Sequence, residues 1–469
     1  MTPTPTAPSL QRADLPPASI FKSYDIRGIV DVELKPDYVR AIGQAIGSEA
    51  RERGRSTVVI ARDGRLSGPT LLQALSEGLT ASGCDVIDIG LVPTPLLYFA
   101  TLAFETGSGV MLTGSHNPPQ YNGLKILLDS ETLSGAQITA LYQRLVEGRL
   151  ASGAGTRRAA DVRQTYLDRV TGDIHLARPL KVVLDCGNGA TGEIAPTLFH
   201  ALGCSITTLF GEIDGHFPNH HPDPSQPENL KDLQKRVIED GADVGLAFDG
   251  DGDRLAVVAP DGSIIWPDRQ LILFARDVLS RHPDGQILYD VKCSRALDEA
   301  IREAGGRPLM WKTGHSFIKA RIRQGDVLLA GEMSGHIFFK ERWTAFDDGL
   351  YAGARLLELL AKSPVPPAEV FGALPNTVNT PEIQIPVTAE SPHTLVDLLV
   401  QAAHFPDGKV TTIDGLRVDF PDGFGLIRAS NTTPILVLRF EGTTQEALGR
   451  IQTRFRDLMN GVRPALATW

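Results

Sequence analysis

Three aspartates alternate with glycine in one short stretch of the chain, Asp249-Gly250-Asp251-Gly252-Asp253. The stretch lies between two apolar runs, residues 244–248 and 255–259, and is therefore predicted to be a tight loop between two strands. Glycine lets the backbone fold so that the three carboxylates converge, and their mutual repulsion is unfavourable unless a cation lies among them. A small cluster of oxygen ligands favours Mg²⁺, which keeps open positions for phosphate oxygens or water.

Two alternatives compete with a magnesium site. In an EF-hand loop counted from Asp249, the sixth position should be glycine and is Arg254, and the twelfth should be glutamate and is Pro260. The other alternative is an acidic turn exposed to solvent, because motif matches carry a real false-positive risk. The guanidinium of Arg254 beside the cluster favours a site that also handles anions.

A second loop that could do chemistry is Thr113-Gly114-Ser115-His116-Asn117-Pro118. The nucleophile elbow of a hydrolase needs glycine two residues before and after the serine, where this loop has Thr113 and Asn117. A serine that faces a Mg²⁺–carboxylate cluster suits phosphoryl transfer instead, with the serine oxygen carrying the phosphate. An Asn-Pro turn with an incidental serine is the alternative, and His116 is also compatible with ordering the loop.

A third pattern suggests a different class of enzyme. The segment Gly187-Asn188-Gly189-Ala190-Thr191-Gly192 follows a predicted strand, opens a predicted helix and matches the glycine spacing of dinucleotide-binding turns. Glu212 stands about 20 residues further on, where that fingerprint places an acidic residue. A tight strand-to-helix turn also needs glycine without any cofactor. An NAD-dependent oxidoreductase is thus one alternative, and a sugar-phosphate-binding protein without catalysis is another.

Several cationic and hydroxyl-bearing residues could hold a phosphate. The loop that contains Arg428, Ser430, Asn431 and Thr432 lies between two predicted strands, and arginine binds phosphate bidentately. Further cations or proton carriers are Arg27, Lys125, Lys292 and His315. Single residues of these types are usually solvated surface groups, so only their convergence on one place would make them a site.

Three segments of the chain share one plan, which must position these loops. In each segment a short apolar strand ends in an aspartate (Asp63, Asp185 and Asp290), and the helix that follows ends at a glycine. This spacing of strands and helices predicts parallel βαβ units. Each copy continues into another apolar run that leads into a loop: the serine loop, the aspartate loop, and residues 331–336. Since ligands bind beyond the carboxyl ends of such strands, we expect one composite cleft.

The composition excludes several other classes of protein. A chain of 469 residues with 42% hydrophobic and 22% charged residues is an ordinary globular protein of about three or more domains. With its net charge of −10, the chain lacks the excess of basic residues that is typical of nucleic-acid-binding proteins. The four cysteines form no CxxC pattern, which predicts reduced thiols and a cytoplasmic location. Residues 1–8 lack the features of a signal peptide, and no apolar run approaches the roughly 20 residues of a membrane helix.

The chain resembles the α-D-phosphohexomutases, and within them the bacterial phosphomannomutase/phosphoglucomutase group. The matching motifs appear in the family's order at residues 24–28, 113–118, 249–254, 331–336 and 428–432. The resemblance implies an α/β fold of three related βαβ-type domains with mixed sheets around a central cleft, plus a smaller α+β C-terminal domain. The implied domains are a phosphoserine domain (1–160), a metal-binding domain (161–263), a sugar-recognition domain (264–372) and a phosphate-binding domain (373–469).

The resemblance also implies a role for each candidate residue. Ser115 would be phosphorylated in the active form and would complete a Mg²⁺ site with Asp249, Asp251 and Asp253. Glu332 and Ser334 would hold sugar hydroxyls. The substrate phosphate that is not reacting would be held by Arg428, Ser430, Asn431 and Thr432. The cleft would be lined by Tyr24, Arg27, Lys125, Arg254, Lys292 and His315, with Lys125 and His315 as proton-transfer candidates.

The implied activity is the interconversion of hexose 1-phosphate and hexose 6-phosphate, with mannose or glucose as the sugar, through a hexose 1,6-bisphosphate. Glucose or mannose 1,6-bisphosphate would be the activator. The expected partners are small phosphosugars, and binding to nucleic acid or to a membrane is not expected. The protein is expected to be a monomer. Met333 is typical of the mannose/glucose group, whereas glucosamine-type mutases more often carry Gln there. Many relatives have Ala where this chain has Gly114, which predicts a slightly looser serine loop.

Overall fold

The computed structural model describes residues 15–387, 390–431, 433–466 and 469. They belong to two compact units. The first unit holds the described residues up to Pro267 together with Ser334–Gly372, and the second holds Asp268–Met333 and those from Ala373 onward. None of the helices in the described ranges has both the length and the apolar character needed to cross a bilayer.

The first repeat, in the first unit, contains a seven-stranded sheet. Its strands are β1 (Ile26–Ile29), β2 (Thr57–Arg62), β3 (Asp85–Leu91), β4 (Gly109–Leu112), β5 (Tyr121–Leu128), β6 (Glu131–Thr132) and β7 (Arg157–Ala159). Its helices are α1 (Pro36–Glu52), α2 (Gly68–Ala81), α3 (Thr94–Ala103) and α4 (Ala136–Val146), and α5 (Arg163–Asp173) follows. The sheet is mixed, because β2 pairs in parallel with β3 and β4 whereas β5 pairs antiparallel with β1 and β4.

The helical period of the leucines in α2 determines how this repeat packs. Leu71, Leu75 and Leu79 recur every four residues and are all buried. They belong to one apolar cluster with Val58 and Ile60 of β2. The prediction of a helix over this segment is confirmed.

The second repeat, also in the first unit, contains a five-stranded mixed sheet. Its elements are β8 (Lys181–Asp185), α6 (Ile194–Ala201), β9 (Ser205–Leu209), α7 (Lys231–Asp240), β10 (Val244–Phe248), β11 (Leu255–Val258) and β12 (Ile264–Ile265). β8 pairs in parallel with β9 and β10, and β10 pairs antiparallel with β11. The aspartate loop therefore joins two neighbouring antiparallel strands, which confirms the prediction of strand, tight acidic loop and strand.

The third repeat begins with helix α8 (Pro267–Arg281). It continues with β13 (Gln286–Asp290), α9 (Arg295–Glu303), β14 (Arg307–Trp311), α10 (His315–Arg323) and β15 (Val327–Gly331) in the second unit. Within that unit, β13 pairs in parallel with β14 and β15. The segment that returns to the first unit contains β16 (Ile337–Phe339), α11 (Gly349–Lys362) and α12 (Pro367–Gly372).

One arrangement recurs in all three repeats. The first of three parallel strands (β2, β8 or β13) lies between the second (β3, β9 or β14) and the third (β4, β10 or β15). The glycine after the helix has a positive φ in every copy, 89° at Gly83, 89° at Gly203 and 79° at Gly305. Left-handed backbone of this kind suits the residue that ends a helix and favours glycine. The predicted parallel βαβ repeat is therefore confirmed.

The C-terminal part of the second unit is an antiparallel sheet with two helices. Its elements are β17 (Val378–Asn379), β18 (Ile383–Pro386), α13 (Pro392–Ala402), β19 (Lys409–Thr411), β20 (Leu416–Phe420), β21 (Gly423–Ala429), β22 (Ile435–Gly442) and α14 (Gln445–Val462). β19 and β20 form an antiparallel hairpin. Thr444 caps α14 by accepting a hydrogen bond from the N–H of Ala447 at 3.1 Å. The smaller α+β domain is confirmed.

Candidate active site

The serine loop, residues 113–118, leaves the carboxyl end of β4. Ser115 is 2% exposed and has a φ of 50°, a left-handed conformation that non-glycine residues rarely adopt. Its N–H donates to Thr113 Oγ1 at 2.7 Å. Its Oγ lies 3.1 Å from Asp249 Oδ2 and 3.2 Å from His116 Nδ1. The fold thus brings the serine directly against the aspartate loop.

Two residues that the sequence analysis did not select hold this loop in place. The side chain of Arg65 is fully buried and pairs with Asp63, whose Oδ2 also accepts from Thr113 Oγ1 at 2.8 Å. The guanidinium of Arg65 donates to four backbone carbonyls, those of Ser115 (2.9 Å), Asn117 (2.6 Å), Pro118 (2.7 Å) and Tyr121 (2.9 Å). Since a buried guanidinium needs partners for its donors, Arg65 and the serine loop stabilise each other.

Gly114 lies against the buried guanidinium of Arg65, and the slightly looser loop expected from this glycine stays a prediction. Its N–H donates to Asp63 Oδ2 at 3.2 Å. A Cβ at this position would lie 2.3 Å from Cζ of Arg65. Gly114 therefore allows the guanidinium to pack against the backbone of the loop.

The aspartate loop is buried in the first unit. Asp249, Asp251 and Asp253 are 0% exposed, and one carboxylate oxygen from each lies within 4.8 Å of the others. Asp251 Oδ1 is buried and has no hydrogen-bond partner among the described residues. Leaving such an oxygen unpaired is unfavourable, and a cation would satisfy it. The donor set, all carboxylate oxygen, fits a hard divalent ion.

Lys125 on β5 supplies positive charge to the same loop. Its Nζ donates to Asp251 Oδ2 at 2.7 Å and to Asp253 Oδ2. Burial lowers the pKa of Lys125, but Asp251 and Asp253 outweigh it and raise that pKa well above its ordinary value. The side chain is therefore an ammonium ion. Burial and the repulsion of its two neighbours raise the pKa of Asp249 well above its ordinary value. For Asp251, burial raises the pKa, but Lys125 outweighs it and the pKa is lowered.

Arg254 lies between the aspartate loop and a histidine that the sequence analysis did not select. Its N–H donates to Asp249 Oδ1 at 3.3 Å, and its Nε donates to His336 Nε2 at 3.0 Å. His336 Nδ1 is 3.0 Å from Asp347 Oδ2 and 3.5 Å from Asp253 Oδ1. His336 is the last residue of the 331–336 motif, and this position in the motif could have identified it from the sequence. No sequence motif predicts the pairing of His336 with Asp347.

Arg27 and His116 also lie at the serine loop. Arg27 on β1 donates from Nη1 to Asn117 Oδ1 at 2.6 Å and pairs with Asp25. Burial, together with the nearby Arg254 and Arg27, lowers the pKa of His116 well below its ordinary value, so the imidazole is neutral. Two further predicted residues of the first unit, Tyr24 and Ser334, are half-buried.

Glu332, Lys292 and His315 belong to the second unit. Glu332 is 2% exposed, and its Oε1 accepts from the N–H of Gly314 at 2.6 Å, immediately before His315 begins α10. Lys292 donates to Glu382 Oε1 at 2.6 Å. Burial lowers the pKa of Lys292, but Glu382 and Asp290 outweigh it and raise the pKa above its ordinary value. The amine is therefore charged at neutral pH.

The predicted phosphate loop lies between β21 and β22. Asp414 orients Arg428, because its carboxylate accepts from Nε at 3.0 Å and from Nη2 at 3.3 Å. Asp414 Oδ2 also accepts from the N–H of Thr313 at 2.9 Å, which joins this loop to the turn before His315. Ser430 Oγ is 3.0 Å from Thr433 Oγ1. Asn431 is half-buried, and Thr432 lies outside the described residues.

The N–H groups of the glycine-rich turn at 187–192 donate hydrogen bonds to acceptors within the protein. Gly187 donates to Asp185 Oδ1, Asn188 to the Phe210 carbonyl, Gly189 to that of Cys186 and Ala190 to that of Gly250. A Cβ at Gly192 would lie 2.0 Å from the carbonyl oxygen of Gly211. The glycines serve close packing, and these donors are not available to a pyrophosphate.

Comparison with known proteins gives one consistent result. Domain models of the phosphoglucomutase/phosphomannomutase family match alpha/beta/alpha domain I at residues 18–150, domain II at 164–262, domain III at 266–378 and the C-terminal domain at 382–458. A phosphomannomutase/phosphoglucomutase of Pseudomonas aeruginosa is 54% identical over 458 residues, covering 98% of this chain and 99% of that protein. A phosphoglucomutase of Neisseria gonorrhoeae is 52% identical over 441 residues, or 93% of this chain and 96% of that one. A crystal structure of a phosphoglucomutase/phosphomannomutase family protein from Burkholderia thailandensis has a TM-score of 0.92 at 53% identity, covering 96% and 99% of the two chains.

Proposed function

The chain belongs to the phosphoglucomutase/phosphomannomutase family of α-D-phosphohexomutases, and from this premise we propose that it interconverts hexose 1-phosphate and hexose 6-phosphate. Glucose and mannose are the proposed sugars, Ser115 carries the phosphoryl group, and a hexose 1,6-bisphosphate is the intermediate. The observation that carries the proposal is the 3.1 Å distance between Ser115 Oγ and Asp249 Oδ2 in a buried loop of three aspartates.

The reaction consists of two phosphoryl transfers in opposite directions. In the first, the bond between phosphorus and Ser115 Oγ breaks as a new one forms to the free hydroxyl oxygen of the sugar; that hydroxyl loses its proton, and Ser115 Oγ takes one up. In the second, the bond between the other phosphoryl group and its sugar oxygen breaks as that group bonds to Ser115 Oγ; the serine loses its proton, and the sugar oxygen gains one. Two acceptors for the serine proton lie within reach, Asp249 Oδ2 and His116 Nδ1. The enzyme is regenerated, and the phosphate has changed ends on the sugar.

The groups around Ser115 stabilise the charge of the transferring phosphoryl group. Asp249, Asp251 and Asp253, with the phosphorylated serine, would hold Mg²⁺, which when bound supplies charge stabilisation to that group. Lys125 and Arg254 stay protonated at the same loop: burial lowers the pKa of each, but the surrounding aspartates outweigh it and raise both. These two side chains therefore offer positive charge to the phosphoryl oxygens without any proton being moved.

The residues of the second unit are proposed to recognise the remainder of the substrate. The carboxylate of Glu332, fixed by the N–H of Gly314, would accept hydrogen bonds from sugar hydroxyls. Arg428, oriented by Asp414, would bind the phosphate that is not reacting, together with Lys292. Ser430, Asn431 and Thr432 would add hydroxyl and amide donors to the same phosphate.

The activator and the cellular setting are part of the same proposal. Since Ser115 must carry a phosphoryl group before the first turnover, glucose or mannose 1,6-bisphosphate would activate the enzyme by loading it. The four cysteines are free and buried, which suits the reducing cytoplasm, and the proposed form is a monomer. Small phosphosugars are the proposed partners.

A coupled assay tests the proposal. The purified chain should convert glucose 1-phosphate and mannose 1-phosphate when Mg²⁺ and a trace of the bisphosphate are present, and mass spectrometry should find phosphate on Ser115. Ser115→Ala should keep its circular dichroism spectrum and lose activity by about a thousandfold or more. Near-normal turnover of that variant would end the covalent proposal. A wild-type chain inactive on both sugars, or one whose NADH titration changes fluorescence, would contradict the function itself.

A further inference from the structure

Asp63 connects two parts of the first repeat at the end of β2. The preceding residue, Arg62, is paired with Leu112 of β4 in the sheet. Two residues beyond Leu112, the N–H of Gly114 donates to Asp63 Oδ2 at 3.2 Å. The hydroxyl of Thr113 donates to the same oxygen at 2.8 Å. One carboxylate thus holds the start of the serine loop.

Asp290 makes the same connection in the third repeat. The preceding residue, Tyr289, is paired with Gly331 of β15. Two residues beyond Gly331, the N–H of Met333 donates to Asp290 Oδ1 at 3.3 Å. The hydroxyl of Thr313 donates to Asp290 Oδ2 at 3.0 Å. This carboxylate therefore holds the loop that carries Glu332, and also the turn before α10.

Both aspartates are fully inside the protein, with exposures of 1% for Asp63 and 0% for Asp290. A buried carboxylate is strongly unfavourable without hydrogen-bond donors, so each needs the loop as much as the loop needs it. The aspartate of the second repeat differs. Asp185 accepts from the N–H of Gly187 at 2.9 Å and lies 3.1 Å from His220 Nε2, and the N–H of Gly250 in the aspartate loop donates to the carbonyl of Pro222 at 3.2 Å.

We propose that Asp63 and Asp290 are equivalent positioning residues, each fixing the loop that leaves the third strand of its repeat. Asp63 sets the serine loop for phosphoryl transfer, and Asp290 sets the Glu332 loop for sugar recognition. Asp290 does so on two sides, because Thr313 precedes Gly314, whose N–H donates to Glu332 Oε1 at 2.6 Å. The assignment of the two loops to chemistry and recognition rests on the proposed function, whereas the positioning itself does not.

Amide hydrogen exchange tests the positioning without any assay of activity. In Asp63→Asn, one carboxylate oxygen becomes an NH₂ group, which cannot accept the hydrogen bonds that the loop donates. The amides of Gly114 and Ser115 should therefore exchange with solvent about tenfold faster or more. The amide of Met333 should be unchanged. Asp290→Asn should show the reverse pattern, and the control Asp185→Asn should leave both loops as they are. Unchanged exchange in both variants, or equal loosening of both loops in each, would overturn the proposal.

Kinetics should separate the two aspartates as well. Asp63→Asn should lower kcat about 100-fold, as misplacement of a reacting group does, with the KM for glucose 1-phosphate changed less than about threefold. Asp290→Asn should raise KM about tenfold and shift the ratio of kcat/KM between glucose and mannose 1-phosphate. At saturating bisphosphate, Ser115 of the Asp290→Asn variant should become phosphorylated at the wild-type rate. Equal proportional losses in every parameter would show a merely structural role and contradict the proposal.

Milder variants keep the test valid if an asparagine variant fails to fold. Thr113→Val removes one donor to Asp63 and should loosen residues 113–118 alone, whereas Thr313→Val should loosen residues 313–315 alone. If the wild type proves inactive on hexose phosphates while the exchange patterns appear as expected, the proposed function fails and the positioning stands. If the wild type is active and the patterns are absent, the positioning fails alone.

Discussion

Ser115 Oγ lies 3.1 Å from Asp249 Oδ2, although 134 positions separate the two residues along the chain. Each residue follows the third strand of its own repeat, β4 for the serine and β10 for the aspartate. Ligands of α/β proteins bind beyond the carboxyl ends of such strands. The contact is tight on the backbone side as well, because a Cβ at Gly250 would lie 2.5 Å from the carbonyl oxygen of Ser115. The repeated topology thus produces the contact on which the proposed chemistry depends.

Gly114→Ala should damage both stability and turnover. The new Cβ would lie 2.3 Å from Cζ of Arg65, and the guanidinium cannot move without leaving the three carbonyls of the serine loop and that of Tyr121. Overpacking of this kind costs about 1–3 kcal/mol in the free energy of unfolding, and the displaced loop should lower kcat about tenfold or more. Urea unfolding and the coupled assay measure the two effects. Gly449→Ala is the matched control: nothing lies near its Cβ on α14, and it should gain about 0.5–1 kcal/mol. Wild-type values for Gly114→Ala would show that Arg65 does not hold the loop.

Arg428→Ala should weaken substrate binding more than it slows the chemical step. Loss of charged hydrogen bonds to a phosphate costs about 1.5–3 kcal/mol, which corresponds to a rise in KM of roughly 10- to 100-fold. Asp414→Asn is the graded comparison, because it keeps the guanidinium and removes the charge that orients Arg428 through hydrogen bonds of 3.0 and 3.3 Å. Its KM should rise less. Steady-state kinetics with glucose 1-phosphate decides, and a fall in kcat at constant KM would contradict a binding role.

The free energy of unfolding should depend on pH through Glu358 of α11. This buried carboxylate accepts from Arg342 Nη1 at 2.8 Å and pairs with Lys362 at 3.0 Å. Burial raises its pKa, but Arg342 and Lys362 outweigh it and lower the pKa below the ordinary value of 4.5. A lowered pKa stabilises the fold above pH 4.5, and this contribution is lost as the pH falls through the folded-state pKa.

The variant Glu358→Gln measures that contribution. Its free energy of unfolding should be lower than that of the wild type by about 1–3 kcal/mol near neutral pH, and the difference should shrink as the pH falls below 4.5, the ordinary value for this group. Urea unfolding at several pH values gives the curve. Glu299→Gln, which removes a pair with Arg295 at 3.1 Å on the surface, should stay within about 0.5 kcal/mol at every pH. A difference for Glu358→Gln that grows in acid would reverse the assignment.

The strands and helices could be predicted because their signals are local. β8 and β10 coincide with apolar runs bounded by aspartate or glycine, and the leucine spacing of α2 marks its buried face. The parallel βαβ units followed from the repeat. The boundaries of the four domains and the roles of the individual site residues stay predictions.

Residues whose importance comes from distant partners could not be predicted. Arg65 follows a strand in a polar loop, and arginine in such a place is usually at the surface, yet it is buried by carbonyls that come about 50 residues later. The pair of His336 and Asp347 depends on how the chain returns after β16. The glycine pattern at 187–192 fails for the same reason, because nothing local indicates that Gly250 will accept the N–H of Ala190.

Lys125→Met should make the stability of the protein depend on Mg²⁺. The ammonium of Lys125 lies 2.7 Å from Asp251 Oδ2 and also contacts Asp253. Removing one partner of a buried ion pair costs about 3–5 kcal/mol because the charges left behind are uncompensated. A divalent ion at the same carboxylates would offset that loss, and binding to the folded state alone raises Tm. Mg²⁺ should therefore raise the Tm of the variant more than that of the wild type.

The control for this prediction is Lys362→Met. Lys362 also pairs with a carboxylate, that of Glu358 at 3.0 Å, but its side chain is 53% exposed and lies on α11, so its loss should cost less than about 1 kcal/mol and should not change the response to Mg²⁺. Thermal melts with EDTA and with Mg²⁺ compare the three proteins. If Lys125→Met melts with the wild type in EDTA, the ammonium of Lys125 does not stabilise the aspartate loop as described. If Mg²⁺ raises the Tm of the wild type and Lys125→Met equally, the ion binds somewhere other than these carboxylates.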